Sequence, residues 1–160
     1  MRIIRIGCAA IARFFISAIF LASAVNNILH WHETEKNLMG ILCDWQMYIG
    51  FHEGAQHCFS FLTPWAPVLL GIATLFNLVG GLLILLGVRE KLGAALLVLF
   101  LIPVTILYHQ FWFIDGPARE LQTIMFLKNL AILGAMILIL LHGGQARSGG
   151  GERNAPLKLG

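Results

Sequence analysis

The sequence predicts an all-α membrane protein, a four-transmembrane-helix bundle with both termini cytoplasmic (N-in/C-in) and a short interfacial helix in a long outer loop. Three observations carry this. The 160 residues are 58% hydrophobic and only 12% charged, against roughly 25% charged in soluble domains. The apolar residues gather into long blocks, each close to the roughly 20 residues needed to cross hydrocarbon. The basic residues stand at the edges of those blocks, where membrane topology places them. The formal charge of +3 therefore describes loop placement and gives no reason to expect nucleic-acid binding.

The blocks run over about 8–29, 66–88, 92–112 and 121–141. Backbone groups in lipid must be satisfied within their own segment, so each block is expected to be a helix. None has the strict alternation of a barrel strand. Only Arg89, Glu90 and Lys91 separate the second block from the third, which predicts a tight hairpin. Pro103 is expected to bend the third helix. Gly71, Gly80, Gly81 and Gly87 in the second allow a neighbouring helix to approach closely.

Orientation follows from the distribution of Lys and Arg. With the N-terminus inside, Arg2, Arg5, Arg13, Arg89, Lys91, Arg147, Arg153 and Lys158 are cytoplasmic, and only Lys36 and Arg119 are outside. That bias predicts both termini in the cytoplasm and a multi-pass protein of the plasma (inner) membrane. Ala22-Ser23-Ala24 would suit a cleavable signal in the first block, but Arg13 would split its apolar region, which favours a retained helix. The membrane domain is thus expected over 1–142, and the Gly-rich segment 143–160 is expected to be a disordered cytoplasmic tail.

The outer loop, about 30–64, is the longest connection. Within it Leu38, Ile41, Leu42, Trp45, Tyr48 and Ile49 recur at helical spacing, which predicts an amphipathic helix at the interface or capping the bundle. Trp31, Trp65 and Trp112 are expected as interfacial anchors. The loop also holds His30, His32, His52 and His57 with Cys43, Cys58, Glu33 and Glu53. Their spacing matches no established metal site, so no metal is expected. Cys43 and Cys58 lie 15 positions apart and face an oxidising compartment, so they are candidates for a disulfide. Such a bridge is worth about 3 kcal/mol.

Lys128 is the sharpest single feature. It lies about seven residues into the fourth block, about 10 Å below the outer boundary, where an ammonium costs about 2.5 kcal/mol or more at mid-membrane unless compensated. Three readings stand side by side: snorkelling to head groups, a polar pocket for an anionic or quinone-like ligand, and helix pairing. Asn129, Asn77, Asn27 and Asn26 are the neutral partners at hand. His109 and Trp112 close the third block at a similar level, which suggests a shared pocket in the outer leaflet. Arg13 is the counterpart near the inner face, where a lipid phosphate would account for it.

Several stretches carry a family resemblance. Phe76-Asn77-Leu78-Val79-Gly80-Gly81-Leu82-Leu83-Ile84-Leu85-Leu86-Gly87-Val88-Arg89 looks like the second-helix motif of the DoxX family. His109-Gln110-Phe111-Trp112 and Phe126-Leu127-Lys128-Asn129-Leu130-Ala131-Ile132-Leu133-Gly134 resemble its third-helix end and fourth-helix signature. Ala12-Arg13 and Ser23-Ala24-Val25-Asn26-Asn27-Ile28 are similar to its first helix. The family commonly has an acid where Asn77 stands and a lysine where Asn27 stands, so an ion pair there would be replaced here by a neutral amide pair.

The resemblance implies a membrane subunit supporting an oxidoreductase system, with quinone as the cofactor to consider. It does not imply a self-sufficient enzyme. The alternatives are a non-enzymatic scaffold or assembly partner for a membrane or extracytoplasmic protein, and a thiol–quinone oxidoreductase using Cys43 and Cys58. A homo-oligomer is compatible with each, and a transporter would require one.

Overall fold

The computed structural model describes residues 2–143. The predicted tail therefore lies outside the described residues, apart from Gly143. Among the described residues the chain is all-helical. It comprises α1 (Arg2–Leu29), α2 (Trp31–Tyr48), α3 (Glu53–Leu62), a 3-10 turn (Thr63–Trp65), α4 (Ala66–Leu85), α5 (Glu90–Tyr108) and α6 (Pro117–His142). Four helical runs are long and apolar enough to span a membrane: Ile6–Leu29, Glu53–Leu85, Glu90–Tyr108 and Pro117–His142.

The spans pack in chain order, α1 against α4, α4 against α5, and α5 against α6. The row curls, so that Phe20 of α1 and Met136 of α6 share one core cluster with Ile84, Ala94, Leu97 and Leu101. Close approach of α4 and α5 depends on two facing glycines. A methyl group at Gly80 would stand 2.8 Å from Leu97 Cγ, and one at Gly93 would stand 2.9 Å from the Gly80 carbonyl oxygen. Small residues substitute for the hydrophobic drive that lipid withholds from helix association.

The α4–α5 turn is as tight as the sequence suggests. Gly87 (φ 65°) and Arg89 (φ 48°) both adopt the left-handed conformation, which reverses the chain in a few residues. Glu90 then opens α5, with its carboxylate favourably placed in the first turn.

Two boundaries differ from expectation. The third span stops at Tyr108, and the segment 109–116, with His109 and Trp112, leaves the helix as a connection. Its aromatic side chains are held laterally: Tyr48 stacks on Phe113 with centroids 4.6 Å apart, and Phe126 meets Phe111 and Trp112 edge-on. The fourth span begins at Pro117, four residues early, because proline fits the first turn of a helix.

The outer loop is more ordered than one short helix. After a break at His30, α2 runs for 18 residues and α3 for 10 more. The predicted apolar face is the one that packs. Leu38, Leu42 and Trp45 are buried, and Leu38 and Leu42 join Ala66 and Leu70 of α4 in a second core cluster. The helical pair thus caps one end of the bundle, and the α4–α5 hairpin marks the other.

Candidate functional site

The polar residues of the spans fall into two groups, and the first lies in the antiparallel seam between α1 and α4. The Asn77 Nδ2 donates to Ser23 Oγ at 3.3 Å, and one turn towards the cap Asn27 Nδ2 donates to Thr74 Oγ1 at 3.2 Å. Positions 23 and 27 are four apart on one helix, and 74 and 77 are three apart on the other. Each pair therefore presents one stripe to its neighbour. Asn77 is wholly buried, as is Ser17. The Asn77 Oδ1 finds no partner among the described residues.

An amide pair between Asn27 and Asn77 is not what forms. Each amide bonds a hydroxyl of the opposite helix instead, because antiparallel packing sets Asn77 level with Ser23 and Asn27 level with Thr74.

At the hairpin end of the same seam Arg13 forms an ion pair with Glu90. This replaces the lipid phosphate expected from the sequence. The Glu90 side chain is 15% exposed and that of Arg13 37%, so the carboxylate is the group that most needs its partner. Gly87 makes room for the contact, since a Cβ there would stand 2.6 Å from Arg13 Nη1. One side chain thereby ties α1 to the turn joining α4 and α5. Glu90 was legible only as a loop acid, because nothing local in the sequence links it to a residue 77 positions away.

The second group surrounds the cap. His109 Nδ1 lies 2.8 Å from Gln122 Oε1, which joins the α5–α6 connection to α6. The Trp45 Nε1 donates to the Leu107 carbonyl at 3.1 Å, satisfying one of the carbonyls left unpaired where α5 ends. Trp45 also stacks on Phe59 and meets Trp112 and Phe113 edge-on. Trp45 was expected on a buried face; its role as a cap for α5 was not. Nothing local in the sequence marks Gln122, which meets His109 from the following helix.

Lys128 stands apart from both groups. It is exposed on α6, among exposed Ile124, Leu127 and Leu130, and takes part in no ion pair or side-chain hydrogen bond among the described residues. Asn129 beside it is half-buried. No hydrogen bond joins Lys128, His109 and Asn77, and Trp112 contributes to the aromatic cluster. Cys43 and Cys58, the candidates for a disulfide, are exposed on α2 and α3, with no bond between them in this structure. No group of three or more His, Cys, Asp or Glu side chains suited to a metal occurs among the described residues.

Comparison with known proteins bears on this arrangement directly. The family model described as DoxX matches residues 8–110, which takes in α1, the cap, α4, α5 and both polar groups up to Gln110. The chain belongs to the DoxX family. It is also 27% identical over 106 residues to "Inner membrane protein YphA" of Escherichia coli (strain K12), an alignment covering 66% of this chain and 76% of that protein. No solved structure matches. As a DoxX protein with four spanning helices it is a multi-pass membrane protein. Its α6, with Lys128, lies beyond the matched residues.

Proposed function

We propose that this DoxX protein is a non-catalytic subunit of the inner membrane, oriented with both termini in the cytoplasm, which presents its α2–α3 cap to an extracytoplasmic or membrane partner of an oxidoreductase system. The cap carries the reading. α3 has no buried residue, and Phe51, Met47 and Phe61 are 76%, 72% and 67% exposed. Large apolar side chains exposed at the cap end of the bundle, with Met47 and Phe51 outside the four apolar runs, mark a contact surface. The contacts of four polar residues favour this reading: Asn77 and Asn27 bond hydroxyls in the seam, Arg13 pairs with Glu90, and His109 meets Gln122.

The orientation rests on the excess of Lys and Arg at the hairpin end and tail. The inner membrane is the location of the Escherichia coli relative, an inner membrane protein. The oxidoreductase link rests on the family resemblance alone. Purification of the full chain from its native membrane in mild detergent, followed by native mass spectrometry, tests the whole reading. A stoichiometric redox partner that is lost in Phe51→Ser/Phe61→Ser supports it. A chain that purifies alone, or a partner indifferent to those substitutions, contradicts it. A quinone retained by the chain without a partner would return the function to a ligand site.

A further inference from the structure

The junction of α1 and α2 carries a polar stripe that belongs to neither core cluster. Asn26, His30, Glu33, Thr34 and Asn37 recur at helical spacing and together line a shallow groove of about 470 Å³. The apolar run of α1 ends at Leu29. At about 1.5 Å per residue, Asn26 lies about 5 Å below that level and Glu33 about 6 Å above it. The groove therefore lies at the depth of the lipid head groups, a layer of about 5–7 Å on each side of the hydrocarbon.

The hydrogen bonds at the groove decide what it can offer. Thr34 Oγ1 donates to the His30 carbonyl at 3.0 Å, so its lone pairs are left for a ligand. His30 Nδ1 lies 3.3 Å from the Asn26 carbonyl oxygen. A carbonyl can only accept, so this contact places the ring proton on Nδ1 and leaves Nε2 of the neutral ring as an acceptor. Glu33 is exposed and takes part in no ion pair among the described residues. Its ionised carboxylate is acceptor-only, whereas Asn26 and Asn37 can present either end of their amides. Lone pairs and one negative charge thus dominate the groove. It suits a cation that brings its own N–H donors. A metal ion is a poorer match, since no group of three or more His, Cys, Asp or Glu side chains suited to one occurs among the described residues.

We infer that this groove binds a primary ammonium group, carried by an aminophospholipid such as phosphatidylethanolamine or by a soluble amine. Such a group has three N–H donors, and Glu33, His30 and Thr34 offer acceptors to match. The lipid is favoured by what lies below. Ala22, Ile19 and Phe15 continue the same stripe of α1 towards the hairpin end, all of them exposed, and give an acyl chain an apolar track. Phosphatidylcholine would bring the positive charge without a donor. Phosphatidylglycerol would bring a phosphate towards Glu33 with no cation to compensate it. A partner on the cap and an amine in this groove are independent, and either can be absent without the other.

The test uses the full chain in mild detergent. Native mass spectrometry reads binding of phosphatidylethanolamine, phosphatidylcholine and phosphatidylglycerol, and calorimetry reads binding of ethanolamine. Phosphatidylethanolamine should bind several-fold more tightly than either other lipid. Glu33→Gln should weaken it about three- to five-fold, the scale of a partly exposed ion pair. Glu35→Gln removes the same charge from the opposite side of α2 and should leave binding unchanged. Glu33 is exposed, so lipid loss is read on a folded protein, checked by its unchanged melting temperature. Ethanolamine that binds through Glu33 while the three lipids bind alike assigns the groove to a soluble amine. Phosphatidylethanolamine and ethanolamine binding that are both indifferent to Glu33→Gln overturn the inference. So does a preference for phosphatidylglycerol, or an equal loss in Glu33→Gln and Glu35→Gln, which would report overall charge.

Discussion

The α1–α4 seam and the outer face of α6 handle the same difficulty in opposite ways. Both place polar side chains in apolar helices. In the seam, neutral amides are turned inward and meet hydroxyls at matched heights, Asn77 with Ser23 and Asn27 with Thr74. On α6, a full cation stands on the exposed face. An amide can be satisfied by a neutral neighbour and strengthens the pairing it joins. A lysine without a carboxylate in reach is less costly at the lipid surface, where its stem can lift the charge to water or phosphate. Position in the bundle therefore follows from what each group needs.

The difference can be broken at several points. The largest effect is expected between α4 and α5, where Gly93→Val would drive a side chain against the Gly80 carbonyl. Overpacking of this kind costs about 1–3 kcal/mol or more, so the variant should accumulate poorly and melt well below wild type by fluorescence size-exclusion in detergent.

Arg13→Ala comes next. It strands the Glu90 carboxylate, whose charge-assisted hydrogen bond is worth about 1.5–3 kcal/mol before discounting for the partly exposed Arg13. The double variant Arg13→Ala/Glu90→Ala should recover part of the loss. No recovery would mean that Arg13 acts through packing or lipid instead.

Smaller still are the seam amides. Asn77→Ala and Ser23→Ala should each cost about 0.6–1.7 kcal/mol, the range of interhelical hydrogen bonds in membranes, and together no more than either alone plus a few tenths. Asn27 and Asn77 should instead add independently, within about 0.5 kcal/mol, because they bond different partners. Strong coupling between them would favour a direct amide pair. Lys128→Leu should change stability least, within about 0.5 kcal/mol, as expected at a surface position.

The four spans were legible because apolar length is a local property, and the face of α2 was legible because helical spacing is too. Leu38, Leu42 and Trp45 are buried as their spacing implies. What escaped was register between distant segments. Nothing near Arg13 points to Glu90, and nothing near Asn77 points to Ser23, since these contacts exist only once α1 lies antiparallel to α4. Trp45 could be recognised as a buried aromatic but not as the donor that closes the end of α5. The end of the third helix at Tyr108 is hard to see in the sequence because Phe111, Trp112 and Phe113 extend the apolar run beyond it. Pro117, by contrast, was a start signal in plain view.

Thermal unfolding of Asn77→Ala and Lys128→Ala, measured side by side in the same detergent, tests the division most directly. A seam that holds the bundle and an outward lysine predict a melting temperature lowered by about 2–4 °C for Asn77→Ala and unchanged for Lys128→Ala. A large loss at Lys128 with none at Asn77 would contradict it, placing the lysine inside the packed molecule and the asparagine outside its framework.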